Sequence, residues 1–265
     1  MASFNEVRAL LFDVFGTCVD WRSTVTAALI KSCKETLSSS SETVDDITLH
    51  NASKLSDQDW GRFAQEWRDT YEKFVKSIAF DSSIKWKTVD EHHHDSLVDL
   101  MKAWSIESLW SPEEVQEMSL IWHKLDPWSD SVHGMERLNT KFQTCTLSNG
   151  NMSLLEDLKV HSGIPFKHLF SAEQFGSYKP SPKVYLGPVA KLELEPHQCA
   201  MVAAHLGDLK AAKSFGLRTI YVERPKEEDF SELEIEAARR DGFVDLWISE
   251  NESGFLGMAE PLGIK

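Results

Sequence analysis

The stretch Val7-Arg8-Ala9-Leu10-Leu11-Phe12-Asp13-Val14-Phe15-Gly16-Thr17 decides the fold. It opens as a short, predominantly apolar run that stops at Asp13. A continuous run of this length suits a strand buried on both faces, as in a parallel sheet. Gly16 and Thr17 then supply turn chemistry. Open parallel sheets bind ligands at the carboxyl ends of their strands, which places Asp13 at a candidate active-site edge.

Working outward, the pattern turns helical from about Trp21 to Pro127. Trp60, Phe63, Ala64, Trp67, Tyr71, Phe74, Val75 and Ile78 recur at three- and four-residue steps, an amphipathic stripe. Thr88 with Glu91 and Ser111 with Glu114 read as capping boxes, the second with Pro112 at the first helical position. Beyond Pro127 strands and helices alternate. Phe142 to Leu147, a segment near Leu169-Phe170, Cys199 to Ala203 and Arg218 to Val222 read as strands. Met152 to Leu158, Pro182 to Leu192 and Asp208 to Phe215 read as helices, with Pro188 counting against the second. The expected fold is α/β: a Rossmann-like doubly wound parallel sheet core of residues 1–20 and 128–265, with an inserted helical domain of residues 21–127.

Composition narrows the function. The chain of 265 residues carries 28 Lys plus Arg against 42 Asp plus Glu, a formal net charge of −14. Nucleic-acid binding needs a net basic surface, and an anionic membrane is disfavoured for the same reason. No apolar run approaches the roughly 18 residues of a membrane span. The opening Met1-Ala2-Ser3-Phe4-Asn5-Glu6 lacks the basic and long apolar regions of a secretory signal. Cys18, Cys33, Cys145 and Cys199 are scattered, with no CxxC pair to suggest a disulfide framework or zinc site. Reduced, buried thiols in a cytoplasmic protein are expected.

Polar groups stand where strands should end: Asp13, Ser148-Asn149, and His205 to Asp208, joined by Lys179 in its own loop. Each alone has a structural reading as a cap or turn; together they converge on one sheet edge. Phe12-Asp13-Val14-Phe15-Gly16-Thr17, Leu147-Ser148-Asn149-Gly150, Tyr178-Lys179-Pro180-Ser181-Pro182-Lys183-Val184-Tyr185 and Gly207-Asp208 resemble the four ordered motifs of the haloacid dehalogenase superfamily. Within it, they resemble the type II 2-haloacid dehalogenase branch.

The resemblance implies an aspartate-nucleophile hydrolase with a helical cap. Asp13 would attack carbon to give an aspartyl ester that water hydrolyses. Lys179 would stabilise the Asp13 carboxylate, Ser148 and Asn149 would hold a substrate carboxylate, and Asp208 would position or activate water. Thr17 would hydrogen-bond the nucleophile loop, and Tyr185 would line the site. Arg68, with Arg62 in reserve, would grip the departing halide, and Trp67 and Tyr71 would complete an apolar wall. Phosphatases of the superfamily carry a second Asp two places after the nucleophile, and here that position is Phe15. An aromatic ring cannot protonate an alkoxide, whereas halide leaves unaided. Phe15 therefore favours carbon–halogen cleavage without a cofactor, over Mg²⁺ held by Asp13 and Asp208.

Where dehalogenases have Ser and Asn ahead of the final aspartate, this chain has Ala203 and His205. A neutral His205 beside Asp208 would act as a base in ester hydrolysis and set an acid limb of the pH profile, or it would reshape the site for another substrate. The expected partner is a small carboxylic acid. Eight of nine tryptophans lie at or before Trp128, and this surplus, with the resemblance, suggests a homodimer. The alternatives are a hydrolase of the same fold on another substrate, including a magnesium-dependent phosphatase, and a non-catalytic interaction protein. His92-His93-His94 reads as a solvated loop or helix start, and the acidic stretch Glu223 to Asp229 as surface.

Overall fold

Ala9–Phe12 forms strand β1, buried at every residue. The structure, a computed structural model, describes residues 4–39, 44–81 and 83–264, so Met1, Ala2 and Ser3 of the opening segment lie outside the described residues. The sheet has five strands in the order β2 (Gln143–Thr146), β1, β3 (Cys199–Ala203), β4 (Arg218–Val222) and β5 (Leu246–Ile248). All neighbours are parallel. The chain leaves β1 for β2 on one side and later fills β3 on the other, which makes the β1–β3 boundary the topological switch point. Phe12 pairs with both Thr146 and Val202, so the three strands end level. Asp13 N–H donates to Val202 O at 3.0 Å and Leu147 N–H to Phe12 O at 2.6 Å, which fixes where each following loop begins.

The chain divides into two compact units, Met1–Asp20 with Asp126–Lys265, and Trp21–Leu125. Asp126 and Pro127, which the sequence reading put in the insertion, belong to the sheet unit. Asp20 N–H donates to Asp126 O at 2.8 Å, and Val19 bridges Pro127.

The inserted unit contains α1 (Trp21–Ser38), α2 (Asp46–Ala52), α3 (Asp57–Phe80), α4 (Val89–Ala103) and α5 (Pro112–Ser119). Capping boxes start α3 at Ser56/Asp59, α4 at Thr88/Glu91 and α5 at Ser111/Glu114, satisfying N–H groups that a helix leaves orphaned. The apolar stripe of α3 is buried except at Phe74, which is half-buried and stacks on His92 at 4.3 Å. Much of the tryptophan surplus packs inside the unit: Trp21 stacks on Trp122 at 5.8 Å and Trp67 meets Trp122 edge-on at 5.4 Å. Among the described residues no tryptophan is exposed, although Trp86 and Trp104 are half-buried and Phe80 of the same unit is exposed. His92-His93-His94 is neither loop nor helix start but lies within α4. The buried His93 ring stacks on Trp122 at 4.5 Å, and burial holds its pKa well below the usual value. It is a neutral core residue.

In the sheet unit, α6 (Ser131–Leu138), α7 (Met152–Ser162), α8 (Pro182–Lys191), α9 (Leu206–Ser214), α10 (Glu232–Asp241) and α11 (Gly254–Gly257) complete the fold. Leu169-Phe170 is not a strand. Backbone hydrogen bonds from Thr146 N–H to His168 O and from Ser148 N–H to Phe170 O remain, but Phe170 N–H donates to Thr146 Oγ1, so a side chain interrupts the ladder at one rung and leaves isolated bridges at His168 and Ser171. Pro188 sits inside α8 without ending it, and Leu192 N–H still donates to Pro188 O at 2.9 Å. The region past Val222 was not read as structure because α10 buries little beyond Ala238 and β5 is three residues long. Among the described residues no helix is long and apolar enough to cross a membrane.

A buried ion pair ties this last region to the first. Asp130 accepts from both terminal nitrogens of Arg224, at 2.6 and 2.9 Å, and from Phe255 N–H at 2.7 Å. Arg224 Nε donates to Thr17 O at 3.0 Å. Removing one partner strands the other charge in the interior. Asp130→Ala is therefore expected to lower stability by about 3–5 kcal/mol in urea unfolding; a loss below about 0.5 kcal/mol, the scale of a surface substitution, would contradict it.

Candidate active site

The level ends of β1, β2 and β3 bring the polar groups together. Lys179 Nζ bridges Asp13 Oδ1 at 2.8 Å and Asp208 Oδ2 at 2.6 Å. Thr17 Oγ1 donates to Asp13 Oδ2 at 2.8 Å and accepts from Ala204 N–H at 2.9 Å. The Ala204 amide thus turns the hydroxyl proton toward the carboxylate, a more direct role than bonding the loop. Asn149 Oδ1 accepts from Lys179 N–H at 2.8 Å and so anchors the lysine's backbone. Ser148 Oγ accepts from Gly150 N–H at 3.1 Å, which leaves its own O–H free to donate. Tyr185, fully buried, donates its hydroxyl proton to Asp208. Phe15 is buried in the same unit, and a Cβ at Gly150 would lie 3.4 Å from its ring tip.

His205 differs from expectation in partner and in charge. It lies not beside Asp208 but between Asp13, with Nδ1 at 3.3 Å from Oδ2, and Glu227, with Nε2 at 3.5 Å from Oε2. Burial pushes the imidazole pKa down, but contacts with Asp13 and Glu227 outweigh it and lift the value to about 10. The ring is an imidazolium at neutral pH, so it has no lone pair with which to act as a base. Burial likewise raises the Asp13 pKa, yet Lys179 first and then His205 hold it far below the usual carboxylate range. Burial lowers the Lys179 pKa, and Asp13 and Asp208 more than restore it. Asp13 is ionised, and both cations beside it are charged.

Glu227 was missed because the stretch Glu223 to Asp229 was read as surface. Its side chain is buried, as are Arg224 and the hydrogen bonds that Arg224 makes. Glu228 accepts from Leu206 N–H at 2.9 Å and so satisfies an amide in the first turn of α9. The signal was present: β4 ends at Val222, so this loop leaves the same sheet edge as Asp13 and His205.

Lys179 occupies the place between Asp13 and Asp208 where a shared divalent ion would sit, and such an ion would have to displace it. Among the described residues no group of three or more His, Cys, Asp or Glu is arranged to hold a metal. In the inserted unit, Arg68 is buried, with its guanidinium 4.7 Å from the Tyr71 ring centre and 5.7 Å from that of Trp21. Arg62 instead lies exposed and paired with Asp59. Trp67 is core, donating its indole N–H to Ser96 Oγ at 3.0 Å and to His93 O at 3.1 Å.

Comparison with known proteins gives one consistent result. Residues 7–216 match a family described as haloacid dehalogenase-like hydrolase. The (S)-2-haloacid dehalogenase 1 of Pseudomonas sp. (strain CBS-3) is 25% identical over 240 residues, covering 86% of this chain and 90% of that one. A crystal structure of an L-2-haloacid dehalogenase superposes with TM-score 0.79 at 31% identity, over 97% of this chain and 100% of the other. A defluorinating L-2-haloacid dehalogenase superposes with TM-score 0.78 at 29% identity, over 97% and 95%.

The charge state of His205 has a measurable consequence for stability. Its folded pKa of about 10 exceeds the unfolded value of ~6.5. The stabilisation is therefore complete below pH ~6.5 and is lost as pH rises through about 10. In unfolding experiments the stability deficit of His205→Asn is expected to be largest near pH ~6 and to close by pH ~10.5. A deficit independent of pH would mean that the ring is not charged.

Proposed function

The chain belongs to the haloacid dehalogenase-like hydrolases, and from that premise we propose that it is a metal-independent enzyme releasing halide from small 2-halo carboxylic acids through Asp13. The observation that carries this reading is an ionised Asp13 between Lys179 and His205, with Phe15 where a phosphatase needs an acid. An Asp13 oxygen attacks the halogen-bearing carbon, and the halide departs with the bonding pair on the opposite side. No proton is required. Water then attacks Cγ of the ester, passing a proton to Asp208, and the 2-hydroxy acid leaves. Lys179, pinned by Asn149, keeps both carboxylates in place.

The substrate carboxylate is received by the Ser148 hydroxyl and the Asn149 amide N–H, the groups their own hydrogen bonds leave available. The family resemblance assigns the halide to an arginine of the inserted unit, and within that unit Arg68 is the buried cation, lined by Tyr71 and Trp21, whereas Arg62 faces solvent. The positive charge that Mg²⁺ would supply comes from Lys179 and His205. Four free, buried cysteines fit a cytoplasmic setting.

Chloride release from (S)-2-chloropropionate tests this. Wild-type rates are expected to be unchanged by EDTA, and Asp13→Asn, nearly the same size but a poor nucleophile, is expected to lose at least ~10³-fold. Variant turnover within about tenfold of wild type, or activity lost to EDTA and restored by Mg²⁺, would overturn the respective part.

A further inference from the structure

Glu227 has no task in the reaction just described, yet the fold commits a good deal to placing it. Its side chain is buried, and a Cβ at Gly16 would lie 1.9 Å from its Oε2. The carboxylate therefore lies directly over the turn that follows Asp13. Gly16 also adopts φ of 78°, so this turn is doubly closed to other residues. Lys226, just before Glu227, has φ of 62°, a left-handed conformation that residues with side chains rarely adopt. Such strain persists where surrounding structure imposes it. Here Arg224 anchors the foot of the loop to Thr17 and Asp130. The His205 ring is thereby clamped at both nitrogens between two carboxylates.

Building on the aspartyl-ester reading above, we propose that Glu227 is a positioning residue that holds His205 as an N–H donor to Asp13 Oδ2, and that this donor stabilises the oxyanion formed when water attacks the ester. The lone pairs assign the oxygens. Oδ2 accepts from Thr17 and faces His205, whereas Oδ1 faces Lys179. Among the described residues, Oδ1 retains a lone pair for attack on carbon, and Oδ2 becomes the ester carbonyl. When water adds to Cγ, the π-electron pair moves onto Oδ2, between the Thr17 hydroxyl and the His205 N–H. Donors already aimed at such an oxygen need no reorganisation.

The proton of the attacking water passes to Asp208. The adduct then collapses: the Cγ–Oδ1 bond breaks with its electron pair going to Oδ1 of the product, the π bond to Oδ2 re-forms, and the oxygen from water remains on Cγ. The product alkoxide takes the proton from Asp208, and the carboxylic acid left on Asp13 ionises. His205 gives up no proton in either step. Nor does it touch the halide, which departs on the line pointing away from the attacking oxygen.

Rapid-quench mass spectrometry with (S)-2-chloropropionate tests the inference on the wild type, Glu227→Gln and His205→Asn. Both variants are expected to hydrolyse the ester ~10- to 10³-fold more slowly and to slow ester formation far less, so that about one chloride per site is released in a burst before the slow decay. The charged groups around His205 are Asp13, Glu227 and Glu228, with Lys179 across Asp13. Removing the Glu227 charge is expected to move the alkaline limb of ester decay to lower pH, and His205→Asn to abolish that limb. Unslowed ester decay in both variants, or a chloride burst slowed as much as the decay, overturns the inference while leaving Asp13 as nucleophile. Absence of any ester on the wild-type protein overturns the reading beneath it as well.

Discussion

A carboxylate held out of water and still ionised is the constraint around which this site is organised. Asp13 is buried, and desolvation alone would protonate it. Its charge survives because Lys179 and His205 stand against it and Thr17 donates to it. Each of these helpers is held in turn. Asn149 fixes the Lys179 backbone, the Ala204 amide orients Thr17, and Glu227 faces the far side of His205. Arg224 and Asp130 tie the Glu227 loop to the Thr17 backbone. The supports come from the loops after β1, β2, β3 and β4, which is why a parallel sheet with level strand ends is needed to assemble them.

Most of this was legible because it is written in local chemistry. Buried parallel strands show as unbroken apolar runs, and Asp13, Ser148-Asn149 and His205 to Asp208 each interrupt such a run at its end. Capping boxes at Thr88 and Ser111 need only residues three apart. What was not legible depends on contacts distant in sequence. The acidic run Glu223 to Asp229 resembles a solvated surface until Arg224 and Glu227 are seen packed against the Thr17 and Gly16 turn. His93 reads as polar until Trp122 is placed on its ring. The charge on His205 was misjudged for the same reason: Asp13 was expected beside it and is there, but the second carboxylate is the distant Glu227 and not the neighbouring Asp208.

The two departures from the dehalogenase pattern act together. Ala203 removes a hydroxyl, and His205 places a bulkier, cationic group beside Asp13. Phe15 cannot deliver a proton to a basic leaving group, and the two cations that flank Asp13, Lys179 and His205, are each themselves held between carboxylates. That combination suits a leaving group that is stable as an anion, and it places the burden of catalysis on the hydrolysis of the ester.

The central claim is that Asp13, and not water, attacks carbon. A single turnover with enzyme in excess over (S)-2-chloropropionate in ¹⁸O-water tests it most directly. The account predicts that the hydroxyl oxygen of the first product carries no label and that ¹⁸O appears in the Asp13 carboxylate, located by peptide mass spectrometry. Label entering the product hydroxyl in that first turnover, with Asp13 unlabelled, would contradict it.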